Sequence, residues 1–125
     1  MLQTLAAIAV FGTLGCWARY LQALWVQGLL GQHFPYAILS VNVMGSFLMG
    51  FLFILTVEKL AVPPPIRVGV LTGFLGGYTT FSSFEVETLM LAQTGHAGRA
   101  ALYVLLSVGL GLLAVFLGAV AARAV

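Results

Sequence analysis

The residues able to do chemistry are few, and most of them fall in one stretch, Gly73-Phe74-Leu75-Gly76-Gly77-Tyr78-Thr79-Thr80-Phe81-Ser82-Ser83-Phe84. It places three glycines and four Ser/Thr hydroxyls inside an otherwise apolar run. Glycines weaken a helix and hydroxyl side chains compete for its backbone hydrogen bonds. The stretch therefore predicts a helix that breaks. A broken helix exposes N–H groups where one half begins and carbonyls where the other ends, which suits anions and cations respectively. Ser82-Ser83-Phe84-Glu85 reads as a capping box from which the second half would restart. The packing alternative is that the glycines let helices approach closely while the hydroxyls bond back to the preceding turn.

The remaining polar groups inside apolar runs are isolated. Arg19 lies well into the first run, where a charge is costly unless it faces water or a partner, or snorkels to the interface. Asn42, within Ser40-Val41-Asn42-Val43-Met44-Gly45-Ser46, offers two donors and an acceptor, for an interhelical bond or for a ligand. Tyr103 and Ser107 stand at i and i+4, so they share a helix face. Glu85 and Glu87 are two apart and point to different sides. His33 and His96 fall in connecting segments and read as solvated. No metal-ligand spacing, nucleophile–base set or nucleotide-binding loop is present, so no enzymatic chemistry is expected.

These groups need elements to hold them. Of 125 residues, 62% are hydrophobic and only 6% charged, against about 25% charged in a soluble domain. So few polar side chains cannot cover a water-facing surface, and the solvent must be lipid. A helix needs about 20 apolar residues to cross a bilayer, and four segments qualify: about 5–30, 36–57, 66–92 and 99–123. Gly31–Pro35 interrupts the first pair, Glu58–Lys59 with Pro63–Pro65 the second, and Gln93–Gly98 the third. Short connections make neighbouring helices antiparallel. The expected fold is an all-α membrane protein, one transmembrane domain over 1–125, with its third helix broken near the bilayer midplane. Small residues (Gly45, Gly50, Gly111, Ala114, Gly118, Ala122) recur where helix backbones could meet.

A formal net charge of +2 is far too small for a nucleic-acid footprint. The single cysteine, Cys16, excludes an intrachain disulfide and reads as a small filler within a helix. Leu14-Gly15-Cys16 faintly resembles a lipoprotein cleavage box, but the basic n-region of a signal peptide is missing before it. Lys59, Arg67 and Arg123 fall on one side of the predicted topology. Arg99, and Arg19 if it faces that mouth, fall on the other. So thin a bias permits insertion in both orientations.

Gly76-Gly77-Tyr78-Thr79-Thr80-Phe81-Ser82-Ser83-Phe84, together with Val41-Asn42 and Gly15-Cys16-Trp17-Ala18-Arg19-Tyr20, resembles the Fluc/CrcB fluoride channels over essentially the whole chain. The resemblance implies a dual-topology homodimer of antiparallel subunits in the bacterial cytoplasmic membrane, exporting fluoride passively. Phe81 and Phe84 would turn their ring edges to the anion, and Asn42 would be the pore amide. Thr80 and Ser83 would lie on the same pathway, Tyr103 and Ser107 would form a polar track on the fourth helix, and Arg19 and Glu87 would stand near the vestibule. The carbonyls of Gly76 and Thr79 from both subunits would hold a structural sodium ion that is not transported. One position departs from the pattern: Ile38 stands four residues before Asn42, where the family often has threonine. Either a hydroxyl is missing from the pathway or Ser40 replaces it from another face.

Fluoride is small and strongly hydrated, so a pore must replace water's hydrogen bonds without trapping the ion. Two weak aromatic-edge sites, an amide and serine hydroxyls suit that task. A four-helix drug/proton antiporter of similar size would need an acidic residue in the first helix, and none is there. A non-transporting assembly subunit would explain the glycines as packing but not the hydroxyls beside them.

Overall fold

A computed structural model describes residues 1–125, all helix and connections. Helix α1 spans Leu2–Leu30 and α2 spans Tyr36–Ile54, continued by a wider π turn over Leu55–Lys59. The third membrane segment is composite: α3 (Pro64–Val68), a π-helical stretch over Gly69–Phe74, α4 (Leu75–Tyr78), and, beyond a break, α5 (Phe81–Gln93). Helix α6 spans Ala97–Ala124. Three helices are individually long and apolar enough to cross a membrane: Leu2–Leu30, Tyr36–Lys59 and Ala97–Ala124. The fourth crossing is assembled from the two halves of the broken segment.

Local chemistry sets the element ends. Gly31 adopts φ 73 and its N–H returns to the Gln27 carbonyl at 2.9 Å, closing α1; a β-carbon would strain that left-handed conformation. Pro64 opens α3 at the first helical position, where its missing N–H costs no hydrogen bond. Thr80 caps α5: its backbone is extended (φ −151, ψ 115) and its Oγ1 accepts from the Ser83 N–H at 3.2 Å. The second half-helix thus restarts two residues earlier than the Ser82 capping box predicts.

The glycines also differ from expectation. Gly76 and Gly77 are helical, and the break falls just after them, at Thr79–Thr80. A β-carbon on Gly77 would lie 2.6 Å from the Gly12 carbonyl oxygen, and one on Gly15 would overlap the Phe74 carbonyl. These two glycines serve the close approach of α1 to the third segment. Gly50 and Gly118 do the same where α2 packs on α6, against the backbones at Val115 and Phe47.

Burial is inverted relative to a protein in water. Trp17, Trp25, Leu105 and Phe116 are exposed, and so is Cys16. The buried set is instead rich in small residues and includes a cluster of Phe34, Ile38, Phe84 and Tyr103. Such a surface is stable against hydrocarbon rather than water. The chain is a small helical multi-pass membrane protein.

Candidate functional site

The break is held open by α2. The Asn42 Nδ2 donates to the Thr80 carbonyl at 2.9 Å, and the Thr80 N–H donates to Asn42 Oδ1 at 2.8 Å. One side chain therefore pairs with both polar backbone groups of an extended residue, as a neighbouring β-strand would. In a continuous helix the Thr80 N–H would bond the Gly76 carbonyl, and the Ser83 N–H would bond the Thr79 carbonyl. Here they go to Asn42 and to Thr80 Oγ1. The carbonyls of Gly76 and Thr79 lose their helical partners, while Phe81 and Ser82 open a new helix whose first N–H groups have no preceding turn. Electronegative and electropositive helix ends thus meet at one place in the membrane.

A groove of about 440 Å³ runs along this break between α2, α5 and α6. Asn42, Thr79, Thr80, Phe81, Phe84 and Ser107 all line it. The Phe81 and Phe84 rings lie 5.5 Å apart, tilted by 50°; Phe81 is 69% exposed whereas Phe84 is buried. Ser83 is tied to the cap, its hydroxyl 3.0 Å from Thr80 Oγ1. The Ser107 oxygen is buried with no hydrogen-bond partner. That is costly unless a ligand supplies the partner.

Tyr103 stands between residues that line the groove and residues that line a second cavity. Its ring stands edge-on to Phe84 at 5.2 Å and to Phe34 at 5.6 Å. Its hydroxyl donates to Glu87 Oε2 at 2.6 Å. Glu87 lines the second cavity, about 310 Å³, with Gln27, Gln32 and Thr94 near the first and third connections. Between the two cavities the buried Phe84 and Tyr103 pack with Phe34 and Ile38, and Tyr103 lines neither cavity.

Arg19 is half-buried midway along α1, and no carboxylate or other partner within the protomer bonds it. The structure keeps it apart from the groove lining. Gly76 is exposed, and nothing stands within 4 Å of where its β-carbon would be. Thr79 donates both its N–H (3.0 Å) and its hydroxyl (2.8 Å) to the Leu75 carbonyl, and its own carbonyl accepts no hydrogen bond because the Ser83 N–H goes to Thr80 Oγ1. Ile38 is buried against Phe84 and Tyr103, so the position holds hydrocarbon. Ser40 does not take over its place: its hydroxyl donates to the Ala37 carbonyl at 2.8 Å and it does not line the groove.

Sequence reasoning missed what Ser40 also accepts. Gln22 Nε2 donates to Ser40 Oγ at 3.2 Å, and the Tyr78 hydroxyl donates to Gln22 Oε1. The only signal was an amide in an apolar helix, and nothing local names its partner.

The family model described as "CrcB-like protein, Camphor Resistance (CrcB)" matches residues 6–119. A protein of Acidithiobacillus ferrooxidans, named fluoride-specific ion channel FluC, is 52% identical over 119 residues, 95% of each chain. Proteins of the same name from Geobacter metallireducens and Syntrophotalea carbinolica are 47% and 43% identical. These alignments cover 96% and 95% of this chain and 97% of each relative.

Proposed function

The chain belongs to the CrcB family, and from that membership we propose that it is the subunit of a fluoride-specific ion channel, a passive pore and not an enzyme. The observation that carries the proposal is the groove at the break, where two phenylalanine rings, a buried unpartnered hydroxyl and an amide converge.

Fluoride entering by the Glu87 cavity would pass the Tyr103–Phe84 contact and meet Ser107. Asn42 spends one Nδ2 proton on the Thr80 carbonyl and keeps a second, which can donate to the anion. The ring edges of Phe81 and Phe84 carry partial positive charge. Each such donor is weaker than a guanidinium, so the ion is dehydrated in small steps and released again. Thr80 and Ser83 act chiefly on the protein, since their hydroxyls are tied to each other and to the cap. Arg19 would raise the local anion concentration rather than bind within the narrow part.

The pathway calls for a second copy. Gly76, Phe81 and Ser82 are exposed on one protomer, yet polar backbone at membrane depth must be covered by protein or face water. An antiparallel homodimer would cover the break with its own equivalent, and the balanced Lys and Arg distribution is compatible with both insertions. The Gly76 and Thr79 carbonyls fit a sodium ion: it is a hard cation, and unwound backbone carbonyls at half-helix ends are the donors such ions take. Bound there, sodium would neutralise the carbonyl end of both breaks and join the subunits. In the bacterial cytoplasmic membrane, the pore would let fluoride that entered as the neutral acid leave as the anion.

The test is anion efflux from liposomes containing the purified protein, with fluoride and chloride compared under the same driving force. Rapid fluoride release with chloride retained is expected. Liposomes that hold both ions in the presence of sodium would count against the channel.

A further inference from the structure

The chain of bonds from Tyr78 to Gln22 to Ser40 lies outside the ion pathway, yet it ends one residue short of the break. Tyr78 is the last helical residue of α4 and is buried between α1 and α2, its ring against Gly45. Its hydroxyl donates to Gln22 Oε1 on α1. Gln22 Nε2 donates to Ser40 Oγ on α2 (3.2 Å), and Ser40 donates to the Ala37 carbonyl (2.8 Å). Each donor atom in this relay reaches one acceptor. Two residues further along α2, Asn42 holds the Thr80 backbone by two bonds.

Thr79 is therefore clamped on both sides. Tyr78 before it is anchored through its ring and hydroxyl, and Thr80 after it through its N–H and carbonyl. Its own N–H and hydroxyl are both spent on the Leu75 carbonyl. With its neighbours fixed and its other polar groups occupied, the Thr79 carbonyl has one direction available. We propose that Gln22, with Tyr78 and Ser40, is a positioning device for the cation-binding carbonyls of the break, setting how tightly sodium is held rather than how fluoride is contacted. The proposal rests on the channel reading above.

Gln22 fits this role better than a generic packing role. A packing residue in lipid is served by a small or apolar side chain, whereas a glutamine with both amide ends engaged ties three helices at the level of one loop. Removing one partner leaves a polar group unpaired in a low-dielectric setting, and removing both restores balance.

The test compares Tyr78→Phe, Gln22→Leu, the milder Ser40→Ala and the double variant Tyr78→Phe/Gln22→Leu with wild type, each purified as a dimer. Two readouts are taken against sodium concentration, with N-methylglucamine as replacement: the melting temperature of the dimer, and the fluoride release rate per active liposome. The fraction of liposomes that release fluoride at all counts folded channels separately. The single variants are expected to raise the half-maximal sodium concentration of both curves about 5- to 10-fold. In saturating sodium the active fraction should stay at the wild-type level, and the double variant should recover part of the shift. Single variants that lower only the active fraction, with sodium midpoints unchanged, would overturn the positioning role. A wild-type dimer whose melting ignores sodium would overturn it as well. Failure of wild-type liposomes to release fluoride would instead count against the channel reading, and the melting curves would still decide this inference.

Discussion

Replacing Ser107 with alanine should stabilise the protein and impair it at the same time. Every membrane-embedded threonine hydroxyl that bonds back to its helix does so closely: Thr13, Thr56, Thr79 and Thr88 reach the carbonyl four residues earlier at 2.6–2.8 Å. Ser107 makes no such bond, and its oxygen is buried. A buried hydroxyl without a partner costs about 1–3 kcal/mol in protein mutational data. Deleting one oxygen from a groove wall leaves little cavity, so Ser107→Ala should gain about 1 kcal/mol or more. On the proposed pathway the same hydroxyl would donate to the anion, a charge-assisted bond worth about 1.5–3 kcal/mol. At about 1.4 kcal/mol per tenfold, its loss slows fluoride passage by about 10- to 100-fold. Thermal unfolding of the purified protein in detergent gives the first quantity, and the initial efflux rate from liposomes the second. A variant that melts several degrees below wild type, or conducts at the wild-type rate, refutes the reasoning that this hydroxyl is reserved for the ion.

Three further perturbations separate the framework from the pathway. Asn42→Leu, nearly isosteric, leaves the Thr80 N–H and carbonyl unpaired at about 1–3 kcal/mol each. It should lower both melting temperature and fluoride flux, and unchanged melting would mean that Asn42 is not the clamp of the break. Thr80→Ala removes the cap of α5 and should destabilise by about 1 kcal/mol, while the flux per folded channel falls less than in Ser107→Ala. Gly118→Ala drives a methyl group into the Phe47 carbonyl. An overpacking cost of about 1–3 kcal/mol should reduce folded yield, while fluoride over chloride selectivity of the protein that folds is unaltered.

Much of the architecture was legible in the residues because lipid imposes simple rules. Four apolar runs, three short polar connections and a Gly-hydroxyl stretch at mid-depth follow from composition and length alone. The structure shows where such rules stop. Thr80 and Ser82 are both able to cap a helix, and what selects Thr80 is the Asn42 amide arriving from a helix 38 residues away. The glycines read as helix breakers, yet Gly77 is helical because α1 needs the space that a side chain would fill. Ile38 carries no local sign that it packs on Phe84 and Tyr103. The partners Tyr78 and Gln22 lie 56 residues apart, a separation that no periodicity reports. That the Phe81 and Phe84 rings lie together was legible for a local reason, since i and i+3 share a helix face. Their different burial follows from where Phe34, Ile38 and Tyr103 lie, on other elements.

Phe81 offers the most direct test of the account, because its ring is exposed on the protomer and its loss leaves the packed core alone. The measurement is fluoride efflux from liposomes reconstituted with the Phe81→Ile protein, set against wild type and against chloride. An aromatic edge in the anion's path predicts loss of most fluoride conduction per folded channel, with chloride still excluded. Wild-type fluoride efflux through the Phe81→Ile protein would contradict the account.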